Sequence, residues 1–214
     1  HVFMEKPVCV DAHGYNQVIA AAKEADQKNL KVVVGLQRHC QDSYLQSFQK
    51  YQEGAIGEMI GASAYWVGAR PWTIERQPGW TEMEFQMRNW QQFRWLSGDH
   101  IAEQHVHNLD VINWFASGDS LKGGHPVSAQ GQGARTNESS KIGEIFNQHF
   151  IEYRYGPEEN NMILNSQCRQ TPGTWRRVGE EIHGAEGIMD PGAGRITDLK
   201  GNVTWQYRKP RTGV

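Results

Sequence analysis

His1-Val2-Phe3-Met4-Glu5-Lys6-Pro7 opens the sequence, and Lys31-Val32-Val33-Val34-Gly35 repeats its pattern about 30 residues later. Each is a short apolar run that ends at a breaker, Glu5-Lys6-Pro7 in the first and Gly35 in the second. Runs of this length bounded by Pro or Gly read as buried strands. Between them Asp11 stands where a helix N-cap belongs, Tyr15, Val18, Ala22 and Ala25 follow at helical spacing, and Asn29 closes the segment. Residues 1–36 therefore read strand, helix, strand. Parallel neighbours need such a crossover, so the unit belongs to a parallel α/β sheet. Two strands and one helix leave both sheet faces uncovered, so the unit is not a domain by itself.

Moving outward, residues 42–53 read as a helix with Tyr44, Leu45, Phe48 and Tyr51 as its apolar positions. A strand is expected from Met59 to Val67. Residues 70–95 have no clear period and carry Trp72, Trp80, Trp90 and Trp95, a content that argues against disorder. A helix is expected from Asp99 to Phe115, closed by Gly118. Strand-like runs follow at 126–134, 145–155, 161–169 and 177–184, with Gly156-Pro157 as a turn. The last 25 residues are Gly-rich and weakly patterned, and read as irregular. The expected fold class is α/β plus α+β: a parallel-sheet unit over 1–36, then, over 37–214, a mostly antiparallel open-faced sheet backed by helices.

Composition bounds the function. The 214 residues carry a formal net charge of −2 and no basic block, which disfavours a nucleic-acid partner. No apolar run approaches the roughly 20 residues of a membrane span. Cys9, Cys40 and Cys168 lie far apart, an odd count that reads as free thiols and not as a disulfide framework or thiolate metal site. Gly192-Ala193-Gly194 precedes no helical pattern and reads as a loop. The sequence does not choose between cytoplasm and periplasm.

Two short stretches carry chemistry. On a helical wheel, Ile101, Leu109, Ile112 and Phe115 fall on one side of the 99–115 segment, and Glu103, His107, Asp110 and Trp114 on the other. Most amphipathic helices have a solvated polar face. Here, however, Trp114 shares that face, and an imidazole lies between two carboxylates, the usual setting for proton transfer near neutral pH. His100, Glu103 and His107 have a spacing that could hold a metal, but neither the zinc-protease pattern nor its inverse is present, so no metal is assigned. His105 falls toward the apolar side and is expected in the core. The second stretch is Glu5-Lys6-Pro7. Pro7 favours an extended Lys6, and a lysine at the carboxyl end of a parallel strand lies where open α/β sheets bind ligands.

Glu5-Lys6-Pro7 at a strand end, followed about a hundred residues later by Ser97-Gly98-Asp99-His100-Ile101-Ala102-Glu103-Gln104-His105-Val106-His107-Asn108-Leu109-Asp110, resembles the glucose–fructose oxidoreductase/inositol dehydrogenase (Gfo/Idh/MocA) family. Arg88-Asn89-Trp90 before the second motif and Ser166–Trp175 after it resemble one branch of that family. Glu103 stands where the family typically has Asp, and His105 where it has Gly. The resemblance implies an NAD- or NADP-dependent oxidoreductase acting on a sugar, cyclitol or related polyol. It implies catalytic Lys6, His107 and Glu103, and Glu5, Lys6 and Pro7 on the cofactor side. Lys6, His107, Asp110, Arg88 and Trp90 are expected on the substrate side. It further implies a homo-oligomer formed through the second sheet. Two alternatives stay open: a nicotinamide-dependent glycoside-cleaving enzyme on the same scaffold, and a non-catalytic sheet domain for assembly. The Gly-x-Gly-x-x-Gly turn that cradles a dinucleotide pyrophosphate does not occur. The chain is therefore expected to be a fragment. On that reading residues 1–36 are the end of a Rossmann domain, and residues 37–214 a second domain whose own C-terminal end is cut short.

Overall fold

The computed structural model describes residues 1–69, 72–118, 124–136, 142–157 and 161–209. Strand β1 (Val2–Met4), helix α1 (Ala12–Gln27) and strand β2 (Val32–Val34) form the opening unit. The strands pair in parallel, Val2 opposite Val32 and Met4 opposite Val34. Asp11 caps α1 by accepting a hydrogen bond from the Gly14 N–H at 2.7 Å. None of the residues of α1 is buried, and Phe3 and Val33 are 68% and 52% exposed.

A 3₁₀ turn at Gln37–Cys40 leads into α2 (Asp42–Gln52) and then β3 (Met59–Gly68). The Trp-rich stretch holds α3 (Glu82–Arg88), a 3₁₀ turn at Trp90–Gln92 and the start of α4 (Arg94–Ser97), so its second half is largely helical while residues 72–81 are irregular. Thr81 caps α3, its hydroxyl accepting from the Glu84 N–H. The beginning of that stretch, residues 70 and 71, lies outside the described residues.

The single helix expected over 99–115 is two: α5 (Asp99–Glu103) and α6 (Val106–Ser117). Gly98 and Asp99 enter α5 with left-handed φ of 71° and 73°. Aspartate tolerates this conformation better than most residues, and here its carboxylate accepts from the His100 N–H at 2.6 Å and from the Phe146 N–H at 3.1 Å. Gly98 also needs its missing side chain, since a Cβ there would lie 2.8 Å from the Ala102 Cβ and 3.4 Å from the Val10 Cα.

The remaining strands are β4 (Ser128–Ala134), β5 (Gln148–Tyr155), β6 (Met162–Gln170), β7 (Arg177–Gly184), β8 (Gly187–Asp190), β9 (Arg195–Asp198) and β10 (Val203–Gln206). β9 and β10 correct the expectation of an irregular tail, although residues 210–214 lie outside the described set. The eight strands from β3 onward form one sheet in the order β10-β9-β8-β7-β3-β6-β5-β4. Of its pairings, β3 with β6 is parallel and the rest are antiparallel.

One face of this sheet is covered. Ala62, Ala64, Leu164, Ile182, Met189 and Ile196 pack there under Tyr44 of α2 and Val111, Ile112 and Phe115 of α6. Phe48 meets Phe115 edge-on at 5.1 Å and Tyr51 lies 5.4 Å from the same ring, an arrangement that favours aromatic contact beyond the area buried. The other face is open. Tyr65, Gln167, Phe150 and Gln132 stand side by side across it by register, with Phe150 half exposed. This architecture is the α/β unit plus open-faced antiparallel sheet that the sequence led us to expect.

Candidate active site

Strand β1 ends at Met4, and Lys6 projects from just beyond it. Its ammonium donates to the Glu103 carboxylate at 2.5 Å and also to the Glu103 backbone carbonyl. Both side chains are largely enclosed, at 17% and 8% exposure, so this pair is less screened by water than a surface ion pair. Glu103 is the last residue of α5, and its carbonyl is free for Lys6 because the helix breaks at Gln104–His105. The two motifs of the sequence thus meet, although 97 positions separate them. Glu5 lies against Gly35 at the end of β2, where a Cβ would come within 2.5 Å of its carboxylate.

His107 stands in the first turn of α6, buried, with its ring stacked on Trp66 at 6.0 Å and an interplanar angle of 27°. Its Nδ1 is enclosed and has no hydrogen-bond partner among the described residues. Burial pushes its pKa down to about 4, helped by the Lys6 ammonium and then the Arg38 guanidinium. The ring is therefore neutral at pH 7 and able to accept a proton.

Asp110 follows one turn later. Its carboxylate receives the His39 Nε2 at 2.7 Å, and the His39 ring stacks on Trp114 at 4.3 Å. Burial raises the Asp110 pKa, and the nearby His39 and Arg38 act against that rise. His39 and Arg38 were not singled out in the sequence. The available signal was position: both lie just past the end of β2, as Lys6 lies just past the end of β1. Arg38 is held from behind. Its Nε donates to the Tyr44 hydroxyl at 2.9 Å and lies 3.5 Å from the Glu180 carboxylate, while Tyr44 and Asn108 also donate to Glu180.

The other expected residues lie elsewhere in the fold. Arg88 is a half-exposed side chain on α3, paired with Glu84 at 3.0 Å and lying over the Trp80 ring at 4.5 Å. Trp90 is half-buried in the turn after α3. Arg88 has its partners within its own segment, whereas Lys6 pairs with Glu103 in the turn before His107 and Asp110 lies in the turn after it. His105 lies in the core, with its Nε2 2.8 Å from the Ser166 hydroxyl. His100 is 2% exposed, with neither ring nitrogen partnered among the described residues.

Lys6 past the end of β1 and the His39–Asp110 pair past the end of β2 flank the neutral His107 ring of α6, a set of groups chemically able to move a proton and to stabilise a negative oxygen.

The fold defines a structural class: the chain has the Gfo/Idh/MocA fold. No family model matches the chain, and no curated protein sequence does either. Among solved structures it is similar to myo-inositol 2-dehydrogenase from Lactobacillus plantarum, with a TM-score of 0.64 and 21% identity over 89% of this chain and 50% of that one. The WlbA dehydrogenase from Bordetella pertussis, solved with NADH and UDP-GlcNAcA, gives a TM-score of 0.68 and 16% identity over 99% and 53%. A super-repressor mutant of Gal80p from Saccharomyces cerevisiae gives 0.64 and 12% over 99% and 54%. The chain thus spans about half the length of the structures it resembles. Identities this low establish the fold alone.

Proposed function

We propose that this chain is the substrate half of an NAD- or NADP-dependent oxidoreductase, acting on a sugar, cyclitol or related polyol. Residues 1–36 are then the end of its dinucleotide-binding domain, and residues 37–214 its substrate domain. The observation that carries this reading is the meeting of Lys6 with Glu103 in the turn before His107. A bound nicotinamide supplies the hydride acceptor, and WlbA, solved with NADH, is the neighbour that motivates that choice. His107, kept neutral by burial and two cations, takes the proton of the reacting hydroxyl. Lys6 places its ammonium beside the same oxygen and stabilises the charge that develops there. Glu103 fixes the ammonium through carboxylate and carbonyl together, which leaves Lys6 little freedom to move.

One observation favours a second role beside this one. The open sheet face carries half-exposed Phe150 between Gln132 and Gln167, an apolar and amide-rich surface suited to a second copy of the sheet. The Gal80p likeness adds that this fold is also found in a protein described as a repressor. Catalysis and assembly are compatible, and only the first requires hydride transfer. The test is to join this chain to its dinucleotide-binding half and follow nicotinamide reduction with NAD and NADP over a panel of sugars and cyclitols. Reduction with at least one polyol is expected. None with any, from a folded protein that binds dinucleotide, would overturn the enzyme reading and leave assembly.

A further inference from the structure

We propose that Glu180 is a positioning residue of this site: it ties the helical turn that carries His107, and the Arg38 guanidinium, to one buried carboxylate on the sheet. It acts through these groups and not on the substrate. This assignment rests on the oxidoreductase reading above.

His107 needs such a support. Its Nδ1 has no hydrogen-bond partner among the described residues, so the ring is set by its stack on Trp66 and by the place of its helical turn. That turn is the start of α6, just past the break at Gln104–His105. No side chain caps it, and the side chain at the cap position, His105, is turned against the Ser166 hydroxyl. Helix ends fray, and an uncapped end is held less firmly than a capped one.

Glu180 holds this turn from the side. Asn108, the residue after His107, donates from Nδ2 to Glu180 Oε1 at 2.6 Å. The other oxygen, Oε2, accepts from the Tyr44 hydroxyl of α2 at 2.9 Å. Arg38, in the turn after β2, donates from Nε to that hydroxyl at 2.9 Å and lies 3.5 Å from Oε1. In register, Val178 stands opposite Trp66 and Glu180 opposite Ala64, so on the covered face Glu180 lies one row from the platform of the His107 ring. The Arg38 guanidinium lies 5.9 Å from the same Trp66 ring. One carboxylate therefore holds both the turn that places His107 and the charge beside its platform. The titratable and charged groups facing Glu180 are Arg38, Tyr44 and, from β8, Asp190. Burial raises its pKa to about 7, so the carboxylate opposes the Arg38 charge above that pH and ceases to below it.

The test is Glu180→Gln in the complete enzyme, which keeps the shape and one acceptor oxygen and removes the charge. Single-turnover hydride transfer should fall roughly ten- to a hundredfold, the scale of a small displacement of the reacting groups. Substrate KM and dinucleotide affinity should stay within about twofold. The rate of the unmodified enzyme should change across pH 7 as Glu180 loses its proton, and that change should be missing from the variant. Asn108→Leu, of similar size, cuts the tie to α6 and leaves Arg38 facing Glu180. It should slow transfer by a similar factor and keep the change across pH 7, and it decides alone if Glu180→Gln does not fold. A merely structural carboxylate would leave the shape of the pH profile intact. Normal transfer in either variant, or a change across pH 7 that persists in Glu180→Gln, overturns the assignment. The ring resonances of His107 in this chain need no turnover, and they should move across pH 7 in the unmodified chain but not in Glu180→Gln. Resonances indifferent to Glu180 overturn this assignment alone. Responsive resonances with no hydride transfer to or from any polyol overturn the oxidoreductase reading and leave the hold of Glu180 on His107 standing.

Discussion

Glu180 is fully enclosed on the covered face of β7, and its neighbour Glu181 points the other way, toward Arg177 and His183. Tyr44, Asn108 and Arg38 surround the Glu180 carboxylate, and it in turn anchors the guanidinium that depresses the His107 pKa. Removing one member of such a buried set leaves the other charge unpaired, at a cost of about 3–5 kcal/mol. Glu180→Ala is therefore expected to lose that much in urea unfolding, while Glu181→Ala, on the open face, should lose under about 1 kcal/mol. Equal small losses would show that Arg38 finds another partner. None of this was legible in the sequence, where Glu180 and Glu181 are adjacent and identical, and only the register of β7 on β3 tells them apart. Lys6, Glu103 and His107 were singled out by a strand-end tripeptide, a helical spacing and the family resemblance, and the structure brings the first two together in the turn before the third. His39 was not, because one histidine in a polar turn has no periodic signal.

At the scale of elements, the β-branched and alternating runs gave strands within one to three residues of those observed. The short strands β8 to β10 were missed because four residues between Gly and Asp turns are too few for alternation to stand out. The wheel over 99–115 treated the segment as one helix and could not show the break at Gln104–His105, which puts Glu103 on α5 and His107, Asp110 and Trp114 on α6. That break depends on Gly98 and Asp99 setting the start of α5 and on His105 turning into the core toward Ser166. The opening unit differs in kind from the rest: α1 buries nothing, and the strands β1 and β2 are two residues of three exposed. An uncovered parallel pair has little to hold it against opening and offers free edges to other chains. In this chain, amides of β1, α1 and β2 are expected to exchange fast, or to be protected only as the protein self-associates. Those of α6, β5 and β6 should exchange slowly. Equal, strong protection of both regions in a dilute monomer would contradict this.

For the molecule as a whole, three enclosed imidazoles set the response to acid. Burial lowers the pKa of His100 and His105 to about 3 and of His107 to about 4, against an ordinary 6.5. Below pH 6.5 the unfolded chain takes up protons at these sites that the folded one refuses. Their contribution is whole above that pH and is lost as pH falls toward 4 and then 3. Glu180 works the other way, because burial raises its pKa to about 7 and the folded state holds its proton more tightly between about 4.5 and 7. The imidazoles outnumber it, so unfolding takes up about two protons net near pH 5, a slope of about 2–3 kcal/mol per pH unit. Urea unfolding at several pH values should show this fall, and His100→Leu should flatten it by about one proton. Stability that stays level between pH 6.5 and 5 would mean that the imidazoles are not held neutral.

The two parts of the molecule meet where Lys6 of the parallel unit pairs with Glu103, in the turn before His107 on the helix that backs the sheet. The most direct test of this site is single-turnover hydride transfer in the complete enzyme, with Lys6→Met and His107→Asn compared against the unmodified protein. Each substitution should slow the transfer by at least about a hundredfold and leave dinucleotide affinity nearly unchanged. Near-normal transfer in both variants would contradict the assignment of this site.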